Sequence, residues 1–350
     1  MSLVVRIVTA FQRSASTIQR VMGKQPLIVL LGPTAVGKTG IAIPVAQALG
    51  TDILTADSRQ VYRGMDIGMD KPRHAERGGV AHRLIDVIEP DEPFNAGQYR
   101  RLALAEIDRL HREGRVAFMV GGTGLYIRAV VRGLWDGPPA DWVFRRELMD
   151  LARTNGPADL HQRLADVDPE LAGRLHTHDL VKIIRGLEAH HATGRPLSEL
   201  HRQHGFEDRP FSTLLIGLIR DRDELYRRID SRVDSQLAHG LVEETRRLLQ
   251  QGLSRELGSM KGLGYRQISA YLAGECAYEE AVRRVKRDTR HFAKRQLTWF
   301  RKEPDIRWLS VGEHEASGDV AARVLALIEA FMAGVSGEGQ RAVESMSRTA

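Results

Sequence analysis

Residues 27–40, LIVLLGPTAVGKTG, constrain the chain more than any other stretch. An apolar run suited to a buried strand leads straight into Gly32, Pro33, Thr34, Ala35, Val36, Gly37, Lys38 and Thr39, a full match to G-x-x-x-x-G-K-[ST]. The glycines let the backbone turn so that successive N–H groups point inward. Those donors and the helix N-terminus that follows make a cradle for an anion. Lys38 adds a point charge and the Thr39 hydroxyl can ligate Mg2+. The loop therefore predicts a polyphosphate ligand but does not say which one. A nucleotide whose phosphoryl group is transferred and a diphosphate that leaves as a unit both fit.

Strands and helices alternate around this loop. Residues 27–31, 52–56, 83–88 and 116–120 read as strands, the last ending in Gly-Gly-Thr-Gly. Lys38–Leu49 and residues 98–113 have helical periodicity. Pro44 stands inside the first of these helices, where a proline usually costs about 3 kcal/mol and kinks the helix unless something compensates. The alternation predicts an α/β fold, a P-loop NTPase-like core with a parallel sheet and helices on both faces. Near "DGPPADW" the pattern changes, and from there to about residue 204 only helical patterns appear, so 141–204 is read as an all-helical insertion domain. A strand-like run returns at 214–219. Helices follow to about 302, then a short strand at Ile306–Ser310 and a helix near 318–333. The core is thus expected from 26–140 and 205–315, with a terminal helix and a frayed tail over 316–350.

Composition narrows the function classes. The chain has 350 residues, 42% of them hydrophobic, and a single cysteine, Cys276, which excludes an internal disulfide framework and any multi-cysteine zinc site. No apolar run approaches the roughly 20 residues of a membrane span, so a cytoplasmic protein is expected. Residues 1–25 carry Arg6, Arg13, Arg20 and Lys24 and no acid. They read as a disordered basic extension, with an organelle-targeting segment as the minority reading. The formal net charge of +6 suits a polyanionic partner.

Two further features bear on chemistry. Asp57 follows the strand at 52–56 and opens "DSRQVY"; it could hold the Mg2+ of an ATP enzyme or act as a general base. Residues 282–302 form the most basic segment. On a helix, Arg283, Arg287, Arg290, Lys294 and Arg301 make one stripe, backed by Val282, Val285, Phe292 and Trp299.

Seven segments taken together are more specific: "GPTAVGKT", "ADSRQVYRGMDIGMDKP", "HRLIDVIEPDEPF", "VGGTGLYIRAVVRGL", "LHQRLADVDPELAGRLHTHDLVKIIRGLEAHHATGRPLSEL", "GLGYRQISAYLAGE" and "AKRQLTWFRK". In this order, over roughly residues 27–310, the sequence resembles the tRNA dimethylallyltransferase family, also called tRNA isopentenyltransferases. The absence of a C-terminal Cys/His finger points to the bacterial type.

The resemblance implies transfer of a dimethylallyl group from dimethylallyl diphosphate to N6 of the adenosine 3′ of the tRNA anticodon, by a Mg2+-dependent enzyme, and a monomer is expected. It implies that residues 32–39 hold the diphosphate, with Arg222 as a second clamp, and that Asp57 is the general base, acting with Lys38 and Thr39. It assigns tRNA contacts to the anticodon stem-loop in several places. They are Asp57, Ser58, Arg59 and Gln60; Thr123 and Arg145; Val181, Lys182, Ile183, Ile184 and Arg185; Lys261, Gly262, Leu263, Gly264, Tyr265 and Arg266; and Lys294, Arg295, Gln296, Leu297, Thr298, Trp299, Phe300 and Arg301. The chain departs from the family pattern at three pairs. Val181-Lys182 stands for Gln-Arg, Lys261-Gly262 for Arg-Ala or Arg-Cys, and Met69-Asp70 for Thr-Ala. The residues alone leave two rivals standing: a small-molecule kinase with ATP in the loop, and an RNA-binding protein with a vestigial loop.

Overall fold

Strand β1 (Pro26–Leu31) is buried along its whole length, and its alternating side chains feed two separate cores. Ile28 and Leu30 point to one face of the sheet, Leu27, Val29 and Leu31 to the other. Such a strand must lie inside a parallel sheet covered on both sides. The computed structural model describes residues 24–135, 137–205 and 208–347, with side chains to residue 334. All but the last two residues of the basic extension lie outside the described residues.

The element order is β1, α1 (Lys38–Leu49), β2 (Ile53–Ala56), β3 (His82–Arg83), α2 (Ala96–Arg112), β4 (Ala117–Gly121), α3 (Gly124–Arg132), α4 (Trp142–Asn155), α5 (Pro157–Val167), α6 (Pro169–Ala172), α7 (Leu180–Thr193), α8 (Leu197–His204), β5 (Ser212–Ile219), α9 (Arg222–Ala238), α10 (Leu241–Gln250), α11 (Tyr265–Leu272), α12 (Tyr278–Phe300), β6 (Ile306–Ser310) and α13 (Ser317–Ser347). The six strands pair in the order β3-β2-β4-β1-β5-β6, all in parallel. Leu31 is in register with Gly121 on one side and Gly217 on the other, and Ala56 with Gly121. The carboxyl ends of β1, β2, β4 and β5 therefore lie side by side. In open α/β sheets that edge, where successive connections part to opposite sides, is where ligands bind.

Two compact units result, Met1–Val131 with Pro210–Ala350, and Arg132–Arg209. In the first, α1 and α13 cover one face of the sheet and α2 and α3 the other. Pro44 does not end α1. Ile41, Ala42, Val45 and Ala46 from that helix sit in the core beside Val320, Val324 and Ile328 of α13, and this packing compensates the proline. The α13 helix runs on to Ser347, past the end expected for it, and it belongs to the core rather than to an appended tail.

The strand expected over 83–88 is corrected. Pairing stops at Arg83, because Leu84 (φ 64°) and Asp86 (φ 56°) adopt left-handed backbone that breaks an extended chain; Ile88 makes one isolated bridge, to Tyr62. At the start of α2, Asn95 and Gln98 exchange backbone-to-side-chain hydrogen bonds of 3.0 Å in each direction, which sets the helix start at Ala96.

The second unit is wholly helical, with a core of Leu148, Leu160, Leu164, Ile183 and Ile184. Beside it lies Glu188, only 1% exposed. Its carboxylate accepts both arms of the Arg145 fork at 2.7 and 2.8 Å, the Asp141 N–H at 2.8 Å and a bond from Arg185. Burial alone would raise its pKa, but the hydrogen bonds from Arg145 and Arg185 outweigh this and hold it below the usual range. The folded state therefore favours the carboxylate, and the stabilisation is present at neutral pH and lost as pH falls through the acidic range. Glu188→Ala strands two guanidinium groups and should cost about 3–5 kcal/mol of unfolding free energy at pH 7. Denaturant titration of wild type and variant at pH 7 and pH 3 should show the gap narrowing in acid.

Candidate active site

A cradle of inward N–H groups turns its carbonyls outward, and those carbonyls need partners. Here four cations supply partners around the loop after β1. Lys38 Nζ donates to the Gly32 and Pro33 carbonyls at 2.9 and 2.8 Å, Arg228 Nε to Ala35 at 2.9 Å, and Arg220 Nε to Val36 at 2.9 Å. Arg232 Nη1 donates to Thr34 Oγ1 at 2.8 Å. Arg220 stands just past the end of β5, and Arg228 and Arg232 lie one turn apart on α9, a spacing that faces both toward the loop. The sequence reading missed all three. Their signal was the i, i+4 arginine pair on the helix that follows the returning strand. It selected Arg222 instead, whose guanidinium lies over the Tyr226 ring, 5.3 Å from its centroid, outside the residues that line the cleft.

The loop after β2 sits alongside. Asp57 Oδ1 accepts from the backbone N–H of Arg59 at 2.8 Å and of Gln60 at 3.4 Å. Asp57 thus caps its own turn and also lines the cleft. The Ser58 N–H donates to Thr123 Oγ1 at 2.9 Å, and the Gly122 and Thr123 N–H groups both reach the Ala56 carbonyl. The glycines of the Gly-Gly-Thr-Gly turn are needed for contacts within the protein. A Cβ on Gly121 would stand 2.1 Å from the Ala56 carbonyl, one on Gly122 2.5 Å from Gln296 Nε2, and one on Gly124 2.3 Å from Trp299. Gln296, on α12, closes the arrangement. It accepts from the Thr34 N–H at 2.9 Å and donates to the Gly122 carbonyl at 2.8 Å, so one side chain ties the phosphate loop to the turn after β4.

The segment after Asp57 is anchored from α10. The buried Glu244 carboxylate accepts the N–H groups of Asp66, Ile67 and Gly68 at 3.0–3.1 Å and the Tyr265 hydroxyl. Gln60 donates to the Met69 and Asp70 carbonyls, and Asp70 pairs with Arg232 at 3.0 Å. These contacts enclose a cleft of about 1100 Å³ within the first unit. Of the residues singled out in the sequence, it gathers Thr34, Ala35, Gly37, Lys38, Thr39, Asp57, Arg59, Gln60, Lys261, Leu263, Gly264, Arg266, Arg295 and Gln296.

Other singled-out residues are placed differently. Tyr265 and Phe300 are core side chains in the first unit, and Ile183 and Ile184 in the second, so any RNA contact from those segments rests on their neighbours. Arg145 and Arg185 are held by Glu188, whereas Val181 is 83% exposed and Lys182 is paired with Asp179. The basic stripe of α12 is half neutralised within the protein: Arg283 pairs with Glu280, Arg287 with Asp288 and Arg290 with Asp230. Lys294 and Arg301 are exposed on the same helix or at its end. The buried face of α12 is Ala281, Val285, Thr289, Ala293 and Phe300, while Trp299 is 39% exposed.

Burial pushes the Lys38 ammonium down to about 8; the Asp57 and Asp70 carboxylates pull it up, and Arg232 opposes them. A bound polyanion would raise that pKa, so above pH 8 binding must take up a proton. Affinity for an alkyl diphosphate should be flat below pH 8 and fall by up to about tenfold per pH unit above it, the limit for one linked proton. Calorimetry at pH 9 in buffers of different ionisation heat should reveal the uptake; binding with no proton uptake would refute the linkage.

Comparisons with known proteins identify the family. A family model described as IPP transferase matches residues 60–303. A tRNA dimethylallyltransferase 2 of Geotalea uraniireducens (strain Rf4) is 50% identical over 294 residues, 84% of this chain and 95% of that protein. The crystal structure of a tRNA isopentenylpyrophosphate transferase from Bacillus halodurans aligns with a TM-score of 0.69 and 36% identity, covering 91% of this chain and all of the other. A eukaryotic dimethylallyltransferase acting on tRNA aligns with a TM-score of 0.72 and 26% identity, over 87% of this chain and 80% of the other. With an IPP transferase match across most of its length and a dimethylallyltransferase relative half identical over 84% of it, the chain belongs to the family of tRNA dimethylallyltransferases.

Proposed function

We propose that this enzyme moves the dimethylallyl group of dimethylallyl diphosphate to N6 of the adenosine 3′-adjacent to the anticodon in tRNA and releases diphosphate. The observation that carries the reading is the placement of Lys38 and Asp57 on one cleft, beyond the carboxyl ends of β1 and β2, which flank β4 in the parallel sheet. In the reaction the N6–C1 bond forms as the C1–O bond to diphosphate breaks, and one proton leaves N6. Negative charge grows on the leaving diphosphate, where the loop N–H groups and Lys38 stabilise it. The Asp57 carboxylate takes the proton, with its orientation held by the Arg59 and Gln60 N–H groups. Arg232, rather than Arg222, is placed to meet the diphosphate, since it bonds the loop and lines the cleft.

The Thr39 hydroxyl on this cleft suits Mg2+, which keeps waters and substrate phosphate oxygens as its other ligands. Bound Mg2+ would neutralise charge on the leaving group. The adenine must leave its stack to reach Asp57. The exposed cations Lys294, Arg295 and Arg301 would hold the anticodon stem-loop backbone. A monomer in the cytoplasm suffices for one asymmetric RNA substrate, and among the described residues no helix is long and apolar enough to cross a membrane.

Incubation with Mg2+, labelled dimethylallyl diphosphate and tRNA should place label in the tRNA. A folded, tRNA-binding protein that transfers none, but consumes ATP with a small metabolite, would favour a kinase. Asp57→Asn should retain tRNA binding and lose at least about a hundredfold in turnover, the usual worth of a general base. Surviving turnover would remove Asp57 from that role. Lys294→Ala should weaken binding of all tRNAs alike and lower the salt slope by about 1. Arg290→Ala, which removes a cation already paired with Asp230, should leave the slope unchanged.

A further inference from the structure

We propose that Arg228 is a positioning residue for the diphosphate cradle, acting through the left-handed backbone of Ala35. The inference rests on reading the loop as that cradle. Ala35 has φ 63°, and it is the one non-glycine residue of the loop in that region. The conformation costs an L-residue about tenfold in population for each 1.4 kcal/mol of Cβ strain. Glycine adopts it freely. The turn needs it, because Ala35 is where the chain reverses between Pro33 and Lys38 so that the N–H groups that follow converge.

Core packing and bonds to Thr34 and Val36 hold the flanks of Ala35, and the Arg228 side chain bonds the Ala35 carbonyl itself. Its Nε donates to the Ala35 carbonyl at 2.9 Å, beside Arg220 Nε on the next carbonyl. The Arg228 Nη2 stands 3.8 Å from where a Gly37 Cβ would be, so the guanidinium lies along the loop. Arg228 also lines the cleft beside Lys38 and Arg232, so its hold on the Ala35 carbonyl has to be separated by experiment from direct contact with the anion. Arg228 is exposed on α9 and takes no place in the cores, so its loss leaves the fold intact.

A mutant cycle read with inorganic pyrophosphate tests this without requiring prenyl transfer or RNA. Calorimetric affinity should fall by about tenfold in Arg228→Ala. Ala35→Gly alone, which keeps the Arg228 bond and eases the backbone, should lose less affinity than Arg228→Ala. The double variant Arg228→Ala with Ala35→Gly should recover most of the loss. In transfer assays the same series should change the KM for the diphosphate more than kcat. Unchanged affinity in Arg228→Ala would overturn the proposal. Equal loss in the single and double variants would also overturn it, because Arg228 would then act by touching the anion. Arg228→Lys, run in the same two backgrounds, keeps a cation; equal retention of affinity in both would likewise assign Arg228 a purely electrostatic part. None of these results depends on the prenyl acceptor. Failure of the transfer assay with intact pyrophosphate binding would count against the function and leave this cycle standing.

Discussion

A loop that points its N–H groups inward has an equal number of carbonyls to account for on the other side. That accounting organises much of this protein. Lys38 comes from the loop itself, Arg220 from the strand beside it, and Arg228 and Arg232 from the helix after that strand. Gln296 arrives from more than 250 residues further along the chain to take the Thr34 N–H. The cradle is therefore a product of tertiary structure. Its anion-binding side is local, and the side that holds it in shape is assembled from the whole first unit. The sheet order explains why such distant pieces converge, because the parallel strands deliver four loop starts to one edge.

The same economy applies to the neighbouring turns. Asp57 is at once a turn cap and a cleft carboxylate, and the two roles reinforce each other. A carboxylate with one oxygen fixed by two backbone donors presents its remaining lone pairs in a defined direction. Glu244 does a comparable task for the next segment with three consecutive N–H groups, so the stretch from Asp57 to Lys71 is held at both ends by carboxylates. The charges of the cleft are largely balanced within the protein before any ligand enters. Arg220 has Glu224, Arg232 has Asp70, and Lys38 has carbonyls together with the nearby Asp57.

What could be read from the sequence follows the range of the interaction concerned. The helix Lys38–Leu49 and the strand Ile306–Ser310 were legible to the residue, because local periodicity and the loop motif decide them. The strand at 83–88 was not, since two left-handed residues inside an apolar run leave no compositional trace when they are Leu and Asp. Lys38, Thr39 and Asp57 stand in short motifs, and one cleft gathers all three. Arg220, Arg228 and Arg232 earn their place only through contacts across more than 180 residues, and charged helix residues at that spacing look like any solvated face. Gln296 stands in a specific motif, but nothing in that motif says that its amide ties Thr34 to Gly122. In α12 the count of arginines was right while their freedom was not, because their carboxylate partners Asp230 and Glu280 lie on other faces or turns.

Two of the chain's departures from its family pattern lie against each other. Met69 occupies the position where the family has Thr, and Gly262 the position where it has Ala or Cys. A Cβ on Gly262 would come within 2.9 Å of the Met69 methyl and 3.0 Å of the Ser259 carbonyl. The larger side chain fills the space that the smaller one vacates, so the pair is one packing solution written at two distant sites. This region therefore cannot be exchanged with a relative's one segment at a time. A chimera that imports an alanine at 262 without a threonine at 69 would be crowded, and the reverse exchange would leave a hole beside Tyr265. In this chain an alanine at 262 would require the Met69 methyl to swing away and the Ser259 turn to give by a few tenths of an ångström, so the two positions answer to one another through packing.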